Sequence, residues 1–233
     1  MKNNALIAFI LMLFPSMIFA ASMRISPISV EILDTQNASS ISLYNQSNES
    51  IDLQVRVFEW TQKNGQDVLT PTDDIAVSPP ILSLQADDSF NLRVVRVDST
   101  PVLNEKAYRI IIDELPKPID HRKADQGLNI LLRSSLPMFI TNKNATSKIE
   151  GKINTVSDNS FAVINNTGSR HILLSKLVII DKTENKSYPI KVTTLNGYLL
   201  VGQTKNYFIE NFKYQQSHQY MISTTVNGKD TEL

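Results

Sequence analysis

The sequence predicts an all-β protein built as two immunoglobulin-like sandwiches in series. Three observations carry that expectation. From Met23 onward apolar residues recur at every second position or in short runs, and hardly ever at helical spacing. Turn residues such as Asn64-Gly65 and Asp87-Asp88-Ser89 punctuate the runs at short intervals. The 233 residues also exceed one small sandwich, and at roughly 100–200 residues per domain they allow one large β domain or two small ones. A βαβ arrangement would need amphipathic helices, and none can be read.

Taken in order, Lys2, the apolar run Ala5 to Phe14 and the small pair Ala20-Ala21 have the form of a cleavable signal peptide, assigned to residues 1–20. The run is too short to span a bilayer with margin, and polar Ser22, Arg24 and Ser26 follow it. No other stretch approaches membrane-spanning length, so an exported chain without membrane insertion is expected. Ile25, Ile28, Val30 and Ile32 then begin one strand, and Ile41 with Leu43 a second. Ile51, Leu53, Val55 and Val57 alternate with Asp52, Gln54, Arg56 and Phe58, Leu92 to Val97 forms a further strand, and Tyr108 to Ile112 another. The pattern stops at Thr141 to Asn144. The first domain is therefore placed at 21–143 and the second at 144–233. Seven runs fill the second: Ile149 to Asn154, Phe161 to Ile164, Leu173 to Ile180, Tyr188 to Val192, Tyr198 to Leu200, Tyr207 to Phe208 and Gln219 to Thr224.

Composition removes several chemistries. Lys+Arg and Asp+Glu both number 23, so a nucleic-acid partner lacks its usual basic excess. Without cysteine there is no disulfide framework, thiolate metal site or cysteine nucleophile. His121, His171 and His218 are the only imidazoles, and the seven glycines fall into no GxGxxG, P-loop or GxSxG pattern. No cofactor, no metal and no enzyme activity are expected. Asp113-Glu114 is no acid/base pair, because adjacent strand residues point to opposite faces. Trp60 reads as a core aromatic, and His121-Arg122-Lys123 as a solvated loop cluster.

The informative segment is Gly127 to Ile140, the last strand of the first domain. A two-residue period sets Leu128, Ile130 and Leu132 on one side and Asn129, Leu131 and Arg133 on the other. Two readings stay open on periodicity alone. The strand is packed inside its own sandwich, or it offers one apolar row to a partner, as exposed aliphatic rows at sheet edges do.

Four blocks carry a family resemblance. Met23-Arg-Ile-Ser-Pro-Ile-Ser-Val30 resembles the first strand of the periplasmic chaperones that assemble chaperone–usher pili. Ala76-Val-Ser-Pro-Pro-Ile-Leu-Ser-Leu84 with Leu92-Arg-Val-Val-Arg96 is similar to their "SPP…l…vRv" block, and Ala107-Tyr-Arg-Ile-Ile-Ile-Asp-Glu-Leu-Pro116 to their "YR…l…iP" strand. Arg56 to Trp60, Asn64-Gly65 and Arg133 to Phe139 resemble the archaic branch, the spore-coat-protein-U-type pili. The resemblance covers Met23 to Ile140 and continues more weakly at Phe161 to Gly168.

That resemblance implies two immunoglobulin-like domains set as an L, a periplasmic location, and pilin subunits and an outer-membrane usher as partners. It implies donor-strand complementation, with Leu128, Ile130 and Leu132 as the alternating donor row and Pro137 as its end. It also implies a basic anchor for the subunit's C-terminal carboxylate. In the better-known branch the anchor is an Arg on the first strand and a Lys late in the donor strand, and here those places hold Ile28 and Pro137. Arg109 and then Arg133 are the candidate anchors; the alternative for Arg133 is neutralising Asp113 or Glu114, while Arg93 and Arg96 read as strand-surface or interdomain charges. Whether the free form self-associates to cover its apolar strand is left open. The competing functions are a secreted pilus subunit or adhesin, and a hydrolase on a sandwich scaffold. A subunit would be expected to carry a free apolar N-terminal extension and often a disulfide.

Overall fold

The computed structural model describes residues 23–117, 130–193 and 196–233. Every regular element among them is a strand. The first ten are β1 (Met23–Ser26), β2 (Val30–Leu33), β3 (Ala38–Asn45), β4 (Ile51–Lys63), β5 (Gln66–Pro71), β6 (Ile75–Ser78), β7 (Ile81–Leu84), β8 (Ser89–Arg96), β9 (Lys106–Glu114) and β10 (Arg133–Thr141). They form one sheet in the order β1-β3-β8-β6 and a second in the order β2-β10-β9-β4-β5, with β7 also on β4. Between these sheets lies a core that includes Ile32, Ile41, Leu43, Leu53, Leu92 and Ile110, each wholly buried.

The remaining strands are β11 (Ile149–Val156), β12 (Asn159–Asn166), β13 (Ile172–Asp181), β14 (Lys186–Ile190), β15 (Tyr198–Leu199), β16 (Thr204–Phe208), β17 (Tyr220–Val226) and β18 (Lys229–Glu232). A sheet β11-β12-β16 faces a sheet β14-β13-β17-β18, with β15 on β13, over a separate core that includes Ile164, Ile172, Ile179 and Leu199.

Three expectations need correction. The single strand expected from Ile25 to Ile32 is two strands in different sheets. β1 pairs antiparallel with β3, the chain turns at Pro27 with Ile28 exposed, and β2 then pairs parallel with β10. Proline has no amide hydrogen to donate and so marks the break. The first sandwich is accordingly not wholly antiparallel. Strands β5 and β18, which the apolar pattern did not reveal, are polar partners in hairpins. Asn64-Gly65 and Asn227-Gly228 each place two consecutive residues at positive φ, 53° and 75° in one and 48° and 80° in the other. That is the type I′ geometry that closes a two-residue hairpin.

Register decides which side chains leave the core. β4 pairs with β9 without a shift, so Leu53 and Val55 point into the sandwich while Trp60 and Gln62, of opposite parity, point out of it. Trp60 is buried, but in a third cluster with Phe139 and Leu200 rather than in the sandwich core as expected. Arg96 also departs from the strand-surface reading. It is buried, donating to the carbonyls of Asp34 and Thr100 at 2.8 Å each, and so ties down two loops.

Candidate functional site

The outer face of the sheet β2-β10-β9-β4-β5 presents Gln62 on β4, Asp67 on β5, Arg109 on β9 and Phe139 on β10. This face meets the second domain. Gln62 Nε2 donates to the Tyr198 carbonyl at 2.9 Å, and Gln62 Oε1 accepts the Leu200 amide at 3.0 Å. Phe139 stacks on His171 with ring centroids 3.7 Å apart, and Glu105 accepts both the His171 amide and Nδ1 at 2.7 Å. Arg170 pairs with Glu31. These contacts join elements far apart in sequence and form the interface between the two sandwiches.

Arg109 lies at that interface. Its guanidinium carbon stands 3.7 Å from the centre of the Trp60 ring and 5.5 Å from that of Tyr198, within cation–π range of both. The side chain is 13% exposed, and its nearest carboxylate is Asp67, at 3.7 Å. Burial pushes the Arg109 guanidinium below its ordinary pKa, and the charge of Asp67 acts against that shift. A second cation, Lys205 on β16, lies beside the Asn64-Gly65 turn and donates to the Asn196 carbonyl at 2.9 Å. Burial lowers its pKa too, again opposed by Asp67. Sequence reasoning missed Lys205, because only the fold brings β16 against the hairpin of the first domain.

Arg133 has a different environment. It is 67% exposed and hydrogen-bonded to Asp113, which also receives Arg56 Nη2 at 2.6 Å. The Arg133 hydrogen bond, helped by Arg56, holds the Asp113 carboxyl below the usual carboxylate range, against the effect of burial. Arg133 thus sits on Asp113, and Arg93 is a surface charge.

Strand β10 divides into two halves. The Glu114 amide donates to the Leu132 carbonyl at 2.9 Å, so even-numbered residues of β10 turn their backbone groups toward β9. Odd-numbered residues then turn theirs to the opposite edge, as the 2.8 Å bond from the Asp34 amide to the Thr141 carbonyl confirms. On that edge β2 covers only Met138 to Thr141. Among the described residues the edge from Arg133 to Pro137 has no strand beside it. Pro137 lies inside β10, opposite Arg109. Its missing N–H falls on the uncovered edge, where no described strand requires it.

Upstream of this edge Ile130 is 70% and Leu132 43% exposed, and Leu131 on the other side is exposed as well. Alternation puts Ile130 and Leu132 in line with Leu136, Met138 and Ile140, which fill the sandwich core. Leu128 lies outside the described residues, as do His121, Arg122 and Lys123. Among the described residues no three His, Asp or Glu side chains gather as metal ligands, and no helix is long and apolar enough to cross a membrane.

Comparison with known proteins gives the family. A chain of the CsuC–CsuE chaperone–tip adhesion subunit pre-assembly complex, from archaic chaperone–usher Csu pili of Acinetobacter baumannii, superposes with TM-score 0.67. It is 24% identical, over 91% of this chain and 97% of that chain. A chain of the Salmonella enterica SafA pilin–SafB chaperone complex gives TM-score 0.64 at 16% identity, over 92% and 94% of the two chains. The E. coli chaperone DraB gives 0.63 at 16%, over 91% and 96%. At these identities the likeness is one of fold: two sandwiches of the same kind in the same order. No curated protein matches the chain in sequence. The profile of the family described as "Pili and flagellar-assembly chaperone, PapD N-terminal domain" matches residues 22–145, more than half of the sequence. The chain therefore belongs to the pili and flagellar-assembly chaperones.

Proposed function

We propose that this chaperone works in the periplasm, exported by its first 20 residues, in an archaic chaperone–usher system. It captures pilin subunits by lending them the upstream half of its last first-domain strand, and passes them to an outer-membrane usher. The observation that carries this reading is the uncovered edge of Arg133 to Pro137, continued by exposed Ile130 and Leu132. An incomplete sandwich placed there gains a backbone ladder along the edge and apolar side chains at alternate positions. Each aliphatic side chain fully buried contributes roughly 1.5–3 kcal/mol, against which the costs of association act. Leu128 belongs to the same row by sequence.

The register supports Arg109 as the carboxylate anchor. A guest strand running parallel to β10 along its uncovered edge ends near Pro137, the residue paired with Arg109 on the neighbouring strand. Two strand spacings, roughly 10 Å, separate guest from β9, and Arg109 and Pro137 share the face that meets the second domain. Arg133, engaged by Asp113, is the weaker candidate.

Co-expression with the cognate pilin, followed by co-purification and mass identification, tests the assignment. The wild-type protein is expected to yield a stable complex, and a variant carrying Ile130→Asp and Leu132→Asp is expected to yield none while remaining folded and monomeric. An unchanged complex in that variant removes the donor row. A change of oligomeric state between wild type and variant, in the absence of pilin, would show that the free form uses the row to self-associate.

A further inference from the structure

The apolar face of β10 is interrupted at one position between Ile130 and Ile140. Its even-numbered side chains Leu136, Met138 and Ile140 are buried in the sandwich core, while Ile130 and Leu132 upstream are exposed. Between the two sets the same face carries Ser134. In register Ser134 stands beside Ile112 on β9 and, one strand further, Val55 on β4. Ile112 and Val55 are buried, and Ser134 is half-buried. The row therefore closes toward β4 and opens toward the uncovered edge. Ser134 marks the seam where the core of the home sandwich ends and the exposed row begins. A side chain kept small by its own core would be shut in by close-packed neighbours. Ser134 is partly open to solvent, so the home core does not set its size.

We propose that Ser134 is a size-selecting position in subunit capture, kept small to receive a bulky apolar side chain of the guest that covers the seam. The inference rests on the reading of Ile130 and Leu132 as donor residues and adds to it the shape of the guest. Opposite Ile130 and Leu132 the guest groove is a pocket. At Ser134 the relation reverses: the guest supplies the knob and the chaperone the hole. A strand laid along the uncovered edge lies about 5 Å from β10. One of its side chains on the same face can fold over a serine there but cannot share the space with a leucine. The small residue also fixes register. A row of equal aliphatics would fit a groove as well after a slip of two residues, which keeps every side chain on its face. With Ser134 in the row, such a slip sets serine against a pocket and an aliphatic against the knob, one void and one clash. Selection thus comes from what the row rejects as well as from what it fills.

The probe is the pilin recovered by co-purification, and dissociation constants are measured with wild type, Ser134→Ala and Ser134→Leu. Ser134→Ala keeps the space and should bind as wild type does. Ser134→Leu should bind roughly tenfold or more weakly, the scale of one overpacked side chain. Its thermal midpoint should stay close to that of wild type, because Ser134 is half-buried in the free protein. The chain has no cysteine, so Ser134→Cys provides a unique thiol. A photo-crosslinker attached there should mark a bulky apolar residue of the pilin, and truncating that residue to alanine should restore binding to Ser134→Leu. Equal or tighter binding of the unaltered pilin by Ser134→Leu overturns the proposal, as does a crosslink to a small or polar residue. Equal weakening by Ser134→Ala and Ser134→Leu overturns it too, since the hydroxyl rather than the size would then be read. In each of these cases the donor row stands. Capture that survives Ile130→Asp with Leu132→Asp is the separate result that removes the row itself.

Discussion

The two halves of β10 share one backbone, one neighbour in β9 and one alternation of side chains, yet they stand in opposite environments. From Leu136 to Thr141 every residue is buried, the even ones in the sandwich core and Phe139 in the interdomain cluster, while β2 seals the far edge from Met138 on. From Ile130 to Ser135 no residue is buried, and no strand among the described residues lies beside the far edge. The downstream half holds the protein together, and the upstream half is left uncovered by the described strands. One strand can serve both ends because its first-domain neighbours stop short of it on one side only.

Substitutions in the two halves should separate these duties. The largest effect is expected from Ile130→Asp with Leu132→Asp: loss of the pilin complex in co-purification, with a thermal midpoint within a few degrees of wild type, since both side chains are exposed. Phe139→Ala, in the downstream half, should cost about 3–5 kcal/mol in urea unfolding by emptying the site between Trp60 and His171. Met138→Ala should cost about 2–5 kcal/mol. The molecules that remain folded in either variant should still capture pilin, and loss of capture out of proportion to stability would erase the division.

A smaller effect lies at the upstream margin, where Asp113 links Arg56 and Arg133. Its folded pKa is depressed, so its stabilising contribution is complete above the ordinary aspartate value of about 3.9. That contribution is lost as pH falls through the lower folded value. Unfolding midpoints measured from pH 6 downward should therefore fall less steeply in Asp113→Asn than in wild type below about pH 4. The smallest effect is expected from Arg133→Ala, under about 1 kcal/mol, because that arginine is mostly solvated.

The all-β class and the order of most strands were legible because alternating apolar residues report one buried face, as at Leu53 and Val55 or Ile110 and Ile112. Reading failed where burial came from somewhere other than the sandwich core. Trp60 and Phe139 are buried by the second domain, a contact that no local pattern encodes. The two-sided apolar character of Gly127 to Ile140 has two separate origins, the exposed Ile130 to Leu132 and the doubly packed Leu136 to Ile140, which look alike as a string of letters. The break at Pro27 was marked by its proline, but Ile28 on its far side imitates the continuing row. Arg109 could be singled out through its resemblance block, whereas its setting on Trp60 beside Asp67 depends on pairing across three strands.

The parallel seating of β2 against Met138 to Thr141 sets a limit on any visitor. A guest strand advancing along the vacant edge in the same direction runs head-on into Val30, the first residue of β2, just past the level of Arg109. For a guest seated in that way β2 would act as the end-stop of a ruler, fixing how much of the guest can lie down and bringing its last residue to the same point each time.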